Sequence, residues 1–471
     1  MLRRMIDYTN KVCLAPMVRS GELPIRLLSL KYDCDLVWSP ELIDKKLIST
    51  TRVENTKLGT IDYIAKNNHQ QNNSNNKKQS NYESVVFRKH PDESGKLILQ
   101  LGTSDPDLAV EAAAKVINDV DGIDLNCGCP KSFSTHSGMG AELLKTPDLL
   151  CSILHNLVTK IGKPNNKPIS CKIRLLPNYE ASYNLVKQIC STTGISNLTI
   201  HCRTPIMRNR QDPIWNYLPK LIPLIESYGI SVVLNGNFQS RLDLETVQQG
   251  LSNDRLSIMI AEAAEANPSV FARSSKGNSV IQQHQLINEV YEVGLKYHLY
   301  SGTKFMIMNM IPGKSKYYQK FSQSKNYDQM KQIIDELNNE ANSEDQDVLK
   351  SDKIFQIMNK HCQKSQFFPN SSSFETYVKG HRRDEILKFF ANWEQNQDEM
   401  LKDLKDSPTK RTMEIPKHKV KKQKKQKQEE VKDQQQQQQQ NQKEAKGVEI
   451  DSKLEAQAVA SNINEQKVQA A

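Results

Sequence analysis

The clearest indication of fold class in this sequence is LILQLGTSDPDLAVEAAAKVINDVDGIDLN, residues 97–126. It opens on the apolar run LILQL (97–101) and ends on a second apolar run, GIDLN (122–126). The helix-like segment DLAVEAAAKVIND lies between the two runs. Short apolar runs indicate buried strands, and a helix that connects two of them indicates a parallel strand–helix–strand unit.

Six further β-like runs repeat this pattern within residues 1–272. They are VCLAPM (12–17), LVWS (36–39), SCKIRL (170–175), NLTIHC (197–202), SVVLNG (231–236) and SIMIAEA (257–263). Eight strands that alternate with helices over about 250 residues predict an α/β fold of the (β/α)8 TIM-barrel type. A doubly wound open sheet is the alternative, but the GxGxxG motif that often follows its first strand is absent from this sequence.

Composition divides the 471 residues into three regions. Only 37% of the residues are hydrophobic and the mean hydropathy is −0.63, so part of the chain is expected to be disordered. We expect a barrel domain over 1–272, a smaller helical domain over 273–400, and a disordered tail over 401–471 that contains seven consecutive glutamines. Within the barrel region, the Asn/Gln-rich segment 66–82 predicts a surface loop insertion.

The positive charge lies mainly in the tail. The net charge is +10, and residues 408–428 contribute nine Lys/Arg and one Glu, a net +8. Such a segment binds polyanions through counterion release or acts as a nuclear localisation signal, and a solvated disordered tail is the alternative.

Several classes of protein are not expected from this sequence. No run of about 18 apolar residues predicts a membrane span, and the first twelve residues lack the apolar core of a secretory signal. Nine scattered cysteines without a CxxC pair favour reduced thiols and disfavour a structural zinc site. We therefore expect a cytoplasmic protein that binds no metal, and the lysine-dense segment 410–427 adds a nuclear alternative. A monomer is the default expectation.

Polar, glycine or cysteine residues stand where six of the predicted strands end. Active sites of (β/α)8 barrels lie at this end of the strands, so the series predicts a ligand-binding rim. The residues are Ala15–Pro16–Met17, Gln100, Asn126 to Pro130, Lys172–Ile173–Arg174, His201–Cys202–Arg203 and Asn235–Gly236–Asn237.

Three side chains of this rim suggest specific chemistry. Cys129 lies in a Gly- and Ser-rich loop, where a thiol can act as a proton donor or, with a lowered pKa, as a nucleophile; a small buried hydrophobe is the alternative. Lys172 alternates with apolar neighbours and should face an anion or an electron-rich ring, unless it extends to water. His201 lies on the next strand and fits an anion or flavin site.

The last two strands should form a phosphate-binding corner. Loops after strands seven and eight bind phosphate in many such barrels, and Gly236 would let a backbone N–H approach the anion. Glu262, after the eighth strand, is a poor neighbour for a phosphate because like charges repel.

These motifs in combination resemble the tRNA-dihydrouridine synthases, in the eukaryotic branch that acts on the D-loop uridine at position twenty. The resemblance covers about residues 10–272 and rests on APMVRSGELPIRLL, LQLGTSDPDLAVEAA, GIDLNCGCPKSFSTHSGMGAELL, CKIRLL, IHCRT and NPSVF. It implies an FMN-dependent reductase that uses NADPH or NADH and acts on tRNA. It also implies hydride transfer from flavin N5 to uracil C6 and protonation of C5 by Cys129.

The resemblance also implies which residues hold the cofactor and the substrate. Arg174 and Arg203 would contact uracil or RNA. Residues that would bind FMN are Pro16, Met17, Val18, Gln100, Asn126, Lys172, His201, Asn235, Gly236, Asn237, Ala261 and Glu262. Glu262 departs from the family pattern, which has arginine at this position. Two alternatives follow: a tRNA-binding protein on a degenerate barrel that has lost FMN, and a different FMN barrel that reduces a small molecule.

Overall fold

Eight parallel strands close into a barrel, as the sequence predicts. The computed structural model describes residues 6–67, 82–209, 211–313, 315–341 and 371–401. Its strands are β1 (Val12–Leu14), β2 (Leu36–Ile43), β3 (Thr50–Asn55), β4 (Thr60–Asn67), β5 (Tyr82–Lys89), β6 (Leu97–Gly102), β7 (Gly122–Cys127), β8 (Ile169–Arg174), β9 (Asn197–His201), β10 (Ser231–Asn235) and β11 (Ser257–Ile260). The barrel has the order β1-β11-β10-β9-β8-β7-β6-β2.

All eight apolar runs form barrel strands. Strand β1 closes the ring, because Cys13 pairs in parallel with Met259 of β11 on one side and with Leu36 of β2 on the other. This closure rules out the open sheet. Every residue of β6, β7 and β8 is buried, as expected where the barrel interior covers one face and helices cover the other.

Helices cover the outside of the barrel and continue beyond it. A representative N-terminus is that of α3, where the Asp105 side chain accepts the N–H groups of Asp107 and Leu108 and Pro106 occupies the first turn. The helices are α1 (Leu23–Lys31), α2 (Asp44–Ile48), α3 (Pro106–Val116), α4 (Ser132–Thr135), α5 (Pro147–Asn156), α6 (Lys163–Asn165), α7 (Tyr179–Thr192), α8 (Leu218–Glu226), α9 (Asp243–Gly250), α10 (Glu262–Ala266), α11 (Gln283–Tyr297), α12 (Tyr300–Met310), α13 (Lys316–Gln323), α14 (Tyr327–Ala341), α15 (Ser371–Tyr377), α16 (Arg383–Gln395) and α17 (Gln397–Met400).

A separate antiparallel sheet interrupts the barrel between β2 and β6. Strands β3, β4 and β5 form it in sequence order, and the sequence analysis did not predict it. Most of β3 is exposed, so it lacks the apolar run that identifies a buried strand. The predicted loop 66–82 is shorter at both ends than expected, because Asn67 pairs with Tyr82 in the β4–β5 hairpin. Residues 68–81 lie outside the described residues.

Helices α11 to α14 pack on one another and on the barrel. Helix α11 packs against α1, and α12 packs against α10. The Tyr32 hydroxyl donates a hydrogen bond to Glu289, 2.9 Å, and the Asn309 amide donates one to Glu265, 3.0 Å. The predicted helical character of residues 273–400 is therefore present where the structure describes them. The predicted boundary at 272 stays a prediction, since all described residues fall within one compact unit.

Helix α16 returns to the barrel and packs on α9, while Phe374 of the preceding helix α15 packs against Val280 and Val378. A π-helical turn, Val378–Arg382, joins the two helices. Phe390 of α16 lies against Gly250, where an added Cβ would come within 2.6 Å of the Phe390 ring. The Trp393 indole N–H donates a hydrogen bond to the carbonyl of Asn216, 2.8 Å. This contact places α16 beside the loops that follow β9 and β10.

The tail lies outside the described residues. Residues 402–471, which include the lysine-dense segment and the glutamine run, are not described, so their predicted disorder stays a prediction. Among the helices that the structure describes, none has the length and apolar character of a membrane span.

Candidate active site

The parallel register brings the predicted rim residues to one end of the barrel. Asn126 of β7 pairs with Lys172 of β8, and Asn235 of β10 pairs with His201 of β9. The side chains of Gln100, Asn126, Lys172 and Asn235 are all buried at this end. Residues that are far apart in sequence are therefore gathered around one mouth.

Asn126 folds the loop that carries Cys129. Its side-chain oxygen accepts the N–H groups of Gly128, 2.9 Å, and Cys129, 3.1 Å. The Cys129 carbonyl then accepts the N–H of Ala141, 2.9 Å, which closes the loop on itself. Gly140 is required for this closure, because its φ is +62° and an added Cβ would lie 2.6 Å from the Cys129 carbonyl oxygen.

Cys129 is held as a protonated thiol at the mouth. Among the eight cysteines of the described residues, it is the only one that is not fully buried. Burial and the nearby Glu41 carboxylate raise its pKa, and Lys131 partly opposes this shift. A thiol with a raised pKa keeps its proton at neutral pH, so its chemistry here is that of a proton donor.

Glu41 is a residue of the site that the sequence analysis missed. It lies on β2 just after a register shift between Trp38 and Glu41, and its side chain accepts a hydrogen bond from Ser134 of the Cys129 loop, 3.2 Å. Burial raises the pKa of Glu41, while Ser134, Cys129 and Asn126 lower it. The signal was its position two residues after the apolar run LVWS (36–39), a strand end that the rim analysis left out.

Asp124 fixes the orientation of Gln100 inside the barrel, and it was also missed. It accepts hydrogen bonds from the Gln100 amide nitrogen, 2.8 Å, and from the Ser170 hydroxyl, 2.6 Å. Burial raises the pKa of Asp124 to about 6, against the opposing effects of Ser170, Gln100 and Lys172. Because the amide nitrogen faces Asp124, the Gln100 oxygen is available as an acceptor, which suits the N3–H of a flavin.

Lys172 lies in a cluster with excess positive charge. Burial and then Arg174 lower its pKa to about 8, while Asp124 raises it. Burial and then Arg203 lower the pKa of Arg174 to about 10. Cations that depress one another's pKa are stabilised by an anion, so this mouth favours an anionic ligand.

His201 is neutral in this cluster. Burial, followed by the charges of Lys172 and its two arginine neighbours, lowers its pKa well below the usual value. The Arg203 guanidinium lies 3.5 Å from His201 Nε2. Because arginine has only donors, this contact favours the tautomer with Nε2 unprotonated, in which Nδ1–H is the hydrogen-bond donor.

Arg174 and Arg203 support loops in the structure. Arg174 donates to the carbonyls of Gly128, 2.8 Å, and Thr204, 3.0 Å. Arg203 donates to the carbonyls of Gln211, 2.8 Å, and of Asn209, 3.2 Å. Their predicted contact with uracil or RNA stays a prediction, and their observed hydrogen bonds hold the loops at the mouth.

At the predicted phosphate corner, Gly236 packs closely against side chains of the loop after β9, and its predicted contact with a phosphate stays a prediction. A Cβ at Gly236 would come within 2.9 Å of the Cys202 Cβ, so only glycine fits. Asn235 donates to the Met259 carbonyl, 2.9 Å, which links β10 to β11. Glu262 accepts a hydrogen bond from the Asn209 side chain of the loop after β9.

Apolar side chains complete one side of the mouth. Pro16, Met17 and Val18 follow β1 and are each half-buried. Met17 and Ala261 pack against the same cluster of barrel-core residues, which includes Trp38. A half-buried apolar surface next to a hydrogen-bond acceptor and a set of cations is the combination that a flavin nucleotide requires. The residues present therefore fit FMN, although Glu262 adds one negative charge.

The sequence of this chain is similar to those of known proteins. The profile of the family described as Dihydrouridine synthase (Dus) matches residues 35–353. The tRNA-dihydrouridine(20) synthase [NAD(P)+] of Saccharomyces cerevisiae is 44% identical over 344 residues, which are 72% of this chain and 87% of that protein. The synthase of the same name from Schizosaccharomyces pombe is 43% identical over 312 residues, 66% of this chain and 61% of that protein.

A more distant relative shares the barrel region. The tRNA-dihydrouridine(20a/20b) synthase [NAD(P)+]-like protein of Mus musculus is 29% identical over 262 residues, which are 56% of this chain and 69% of that protein. The family profile matches more than half of the chain, and the identity to the budding-yeast protein extends over most of both sequences. On these grounds, the chain belongs to the dihydrouridine synthase family.

Proposed function

We propose that this protein reduces a uridine of tRNA to 5,6-dihydrouridine, with FMN as its cofactor and NADPH or NADH as the electron donor. Position twenty of the D-loop is the proposed target, by analogy with the two yeast relatives. The observation that carries the proposal is the position of the Cys129 thiol, whose pKa is raised by burial, at the end of the barrel where Gln100, Lys172 and His201 also lie.

The cofactor would be held by groups with separate tasks. Gln100 accepts a hydrogen bond from the pyrimidine edge of the flavin, since Asp124 fixes its amide. Lys172 supplies positive charge, and neutral His201 donates a hydrogen bond to the phosphate arm. When bound, FMN supplies the hydride that uracil receives at C6, and the protein supplies placement and electrostatics.

Cys129 provides the proton that the reaction needs. The S–H bond breaks as a C–H bond forms at C5 of uracil, which leaves a thiolate that solvent reprotonates before the next turnover. A base inside a folded tRNA cannot reach this thiol, so the uridine must leave its stack and enter the mouth. Asn126 and Arg174 hold the loop and therefore the position of the thiol.

The test is reduction of a tRNA transcript that contains no modified bases. The full chain loaded with FMN and supplied with NADPH should form dihydrouridine at one D-loop position, as measured by mass spectrometry of nuclease fragments. Cys129→Ala should lose at least a hundred-fold in rate, in line with the contribution of a general acid. A protein that reduces free uridine and not tRNA would support a small-molecule reductase instead.

The absorption spectrum distinguishes the proposed enzyme from the remaining alternative, a tRNA-binding barrel that has lost FMN. With added FMN, the protein should retain bands near ~370 and ~450 nm that bleach with NADPH. A protein that stays colourless with excess FMN but binds tRNA would mean that Glu262 has abolished cofactor binding. The degenerate, non-enzymatic barrel would then replace the proposal.

A further inference from the structure

Glu41 is a half-buried acid next to the loop of the proton donor, and the proposed mechanism gives it no task. Its carboxylate oxygen Oε1 accepts a hydrogen bond from Ser134, and the other oxygen, Oε2, is inaccessible to solvent. The Cys129 and Asn126 side chains also stabilise the charged carboxylate, so Glu41 and the thiol act on each other across a short gap.

The backbone of β6 and the loop of Cys129 fix the position of this carboxylate. A Cβ on Gly102 would lie 2.5 Å from Glu41 Oε1, so the carboxylate occupies the space that glycine leaves open. The register shift in β2 precedes Glu41, and such irregularities redirect a side chain relative to a regular strand. The carboxylate is therefore held rigidly against the loop.

Charges of both signs act on the Cys129 thiol. Glu41 on β2 favours the protonated form, and Lys131 in the same loop favours the thiolate. Lys172 and Arg174 on β8 also interact with Cys129, and a cation close to a thiol favours the thiolate. Burial favours the protonated thiol most, and the negative charge of Glu41 adds to this effect against the nearby cations.

We propose that Glu41 is a positioning residue that keeps the proton on the Cys129 thiol, and so sets the upper pH limit of uridine reduction. The inference rests on the proposed role of Cys129 as the general acid. A carboxyl group ordinarily ionises several pH units below a thiol, so we expect Glu41 to lose its proton first. Its negative charge is thus present over the pH range in which Cys129 titrates.

The test measures the pKa of the Cys129 thiol directly and does not require catalytic turnover. The full-length protein is treated with iodoacetamide between pH 6 and 10, and alkylation of the Cys129 peptide is followed by mass spectrometry. In Glu41→Gln the pKa of Cys129 should fall by about one unit or more, as expected when a neighbouring like charge is removed. The apparent alkylation rate near neutral pH should rise only about three-fold, because a thiolate of lower pKa is a weaker nucleophile.

Two matched variants control this measurement. Glu142→Gln removes an exposed carboxylate of the segment that follows the Cys129 loop, which pairs with Lys145, and should leave the thiol pKa unchanged. Lys131→Gln removes a charge of opposite sign and should raise the pKa. In single-turnover reduction of tRNA, the alkaline limit of Glu41→Gln should move to lower pH by the same shift, a change that simple loss of stability does not produce.

The outcomes separate this inference from the proposed function. An unchanged thiol pKa in a folded Glu41→Gln protein that still reduces tRNA would overturn the inference alone. Full activity of Cys129→Ala would instead overturn the role of the thiol. Where Glu41→Gln does not fold, Glu41→Asp keeps a carboxylate but withdraws it from the thiol. Glu41→Asp should lower the pKa of Cys129 by less than Glu41→Gln would. An unchanged Cys129 pKa in Glu41→Asp would also contradict the inference.

Discussion

At the scale of single residues, the chemistry depends on charges that are held away from water. Lys172 is the central case, because its pKa of about 8 places the loss of its proton within an accessible pH range. FMN, the proposed cofactor, is anionic and should bind best while Lys172 is charged. The cofactor in turn should raise the pKa of the lysine on binding.

FMN affinity should therefore fall as pH rises through 8. Above that pH the dissociation constant should increase by about ten-fold per unit, because binding must restore one proton to Lys172. Fluorescence titration of the apoprotein with FMN from pH 7 to 9.5 measures this slope. Lys172→Gln should bind more weakly and lose the slope, whereas Lys145→Gln, which changes an exposed lysine, should keep it. If FMN affinity still depends on pH in Lys172→Gln, a group other than Lys172 takes up the proton on binding.

The sequence allowed individual residues at the mouth of the barrel to be identified better than the contacts between them. Gln100, Lys172 and His201 were recognisable as polar side chains of apolar runs within two residues of the C-terminal end of a strand. Asp124 was not, since it lies inside such a run between Ile123 and Leu125, and its role depends on the register that sets it opposite Gln100 and Ser170. Glu41 contacts a loop about ninety positions away, a proximity that spacing in the sequence does not reveal.

At the scale of elements, the helices after residue 370 support the proposed phosphate corner. The Arg382 guanidinium pairs with Asp243, 2.7 Å, with both side chains almost fully buried, and it donates to the carbonyl of Asn237. Asp243 in turn accepts the N–H of Gln239, 2.7 Å. These bonds shape the turn after β10, where Asn237 has a φ of +63°.

Arg382→Gln should destabilise the fold and weaken FMN binding together. Leaving Asp243 buried without its cation should cost about 3–5 kcal/mol in the free energy of unfolding, which urea denaturation measures. Arg383→Gln is the matched control, because the neighbouring side chain is largely exposed and its loss should cost less than about 0.5 kcal/mol. If Arg382→Gln has normal stability but binds FMN weakly, the arginine shapes the proposed phosphate corner and does not stabilise the fold.

Barrel strands and terminal helices differ in how well sequence predicts them. The eight barrel strands were identifiable because each is buried and continuous in its apolar character. The sheet of β3 to β5 was missed because much of it faces solvent. The packing of α16 on α9 was also missed, since it depends on the pairing of residues 139 positions apart.

At the scale of the whole molecule, aromatic stacking joins the barrel loops to the terminal helices. Trp215, in the loop after β9, stacks on Phe238 after β10, with ring centroids 6.1 Å apart, and on Phe390 of α16, 6.0 Å apart. Three separate parts of the chain thus share one hydrophobic cluster. This explains why the barrel and the helices that follow it form one compact unit.

The lysine-dense tail should add affinity for tRNA without adding specificity. Replacing Lys421, Lys422, Lys424, Lys425 and Lys427 by glutamine should weaken tRNA binding at low salt. The slope of log affinity against log salt should become shallower by up to about 4, since each phosphate contact contributes about 0.7–0.9. Filter binding across salt concentrations measures it, with five lysine-to-arginine changes as the control. An unchanged slope would mean that the tail makes no phosphate contacts.

The hairpin of β4 and β5 also bears on how this chain can vary in length. Its last pair, Asn67 and Tyr82, brings the two ends of the intervening segment to adjacent positions. Residues inserted or deleted between them should leave the eight-stranded ring and its register unchanged, because this hairpin belongs to the separate three-stranded sheet. In general, doubling the length of a loop costs only about 0.6 kcal/mol in closure entropy. The tip of this hairpin is therefore a site where evolution can change the segment freely, and where a probe or affinity tag can be introduced at little cost to the catalytic barrel.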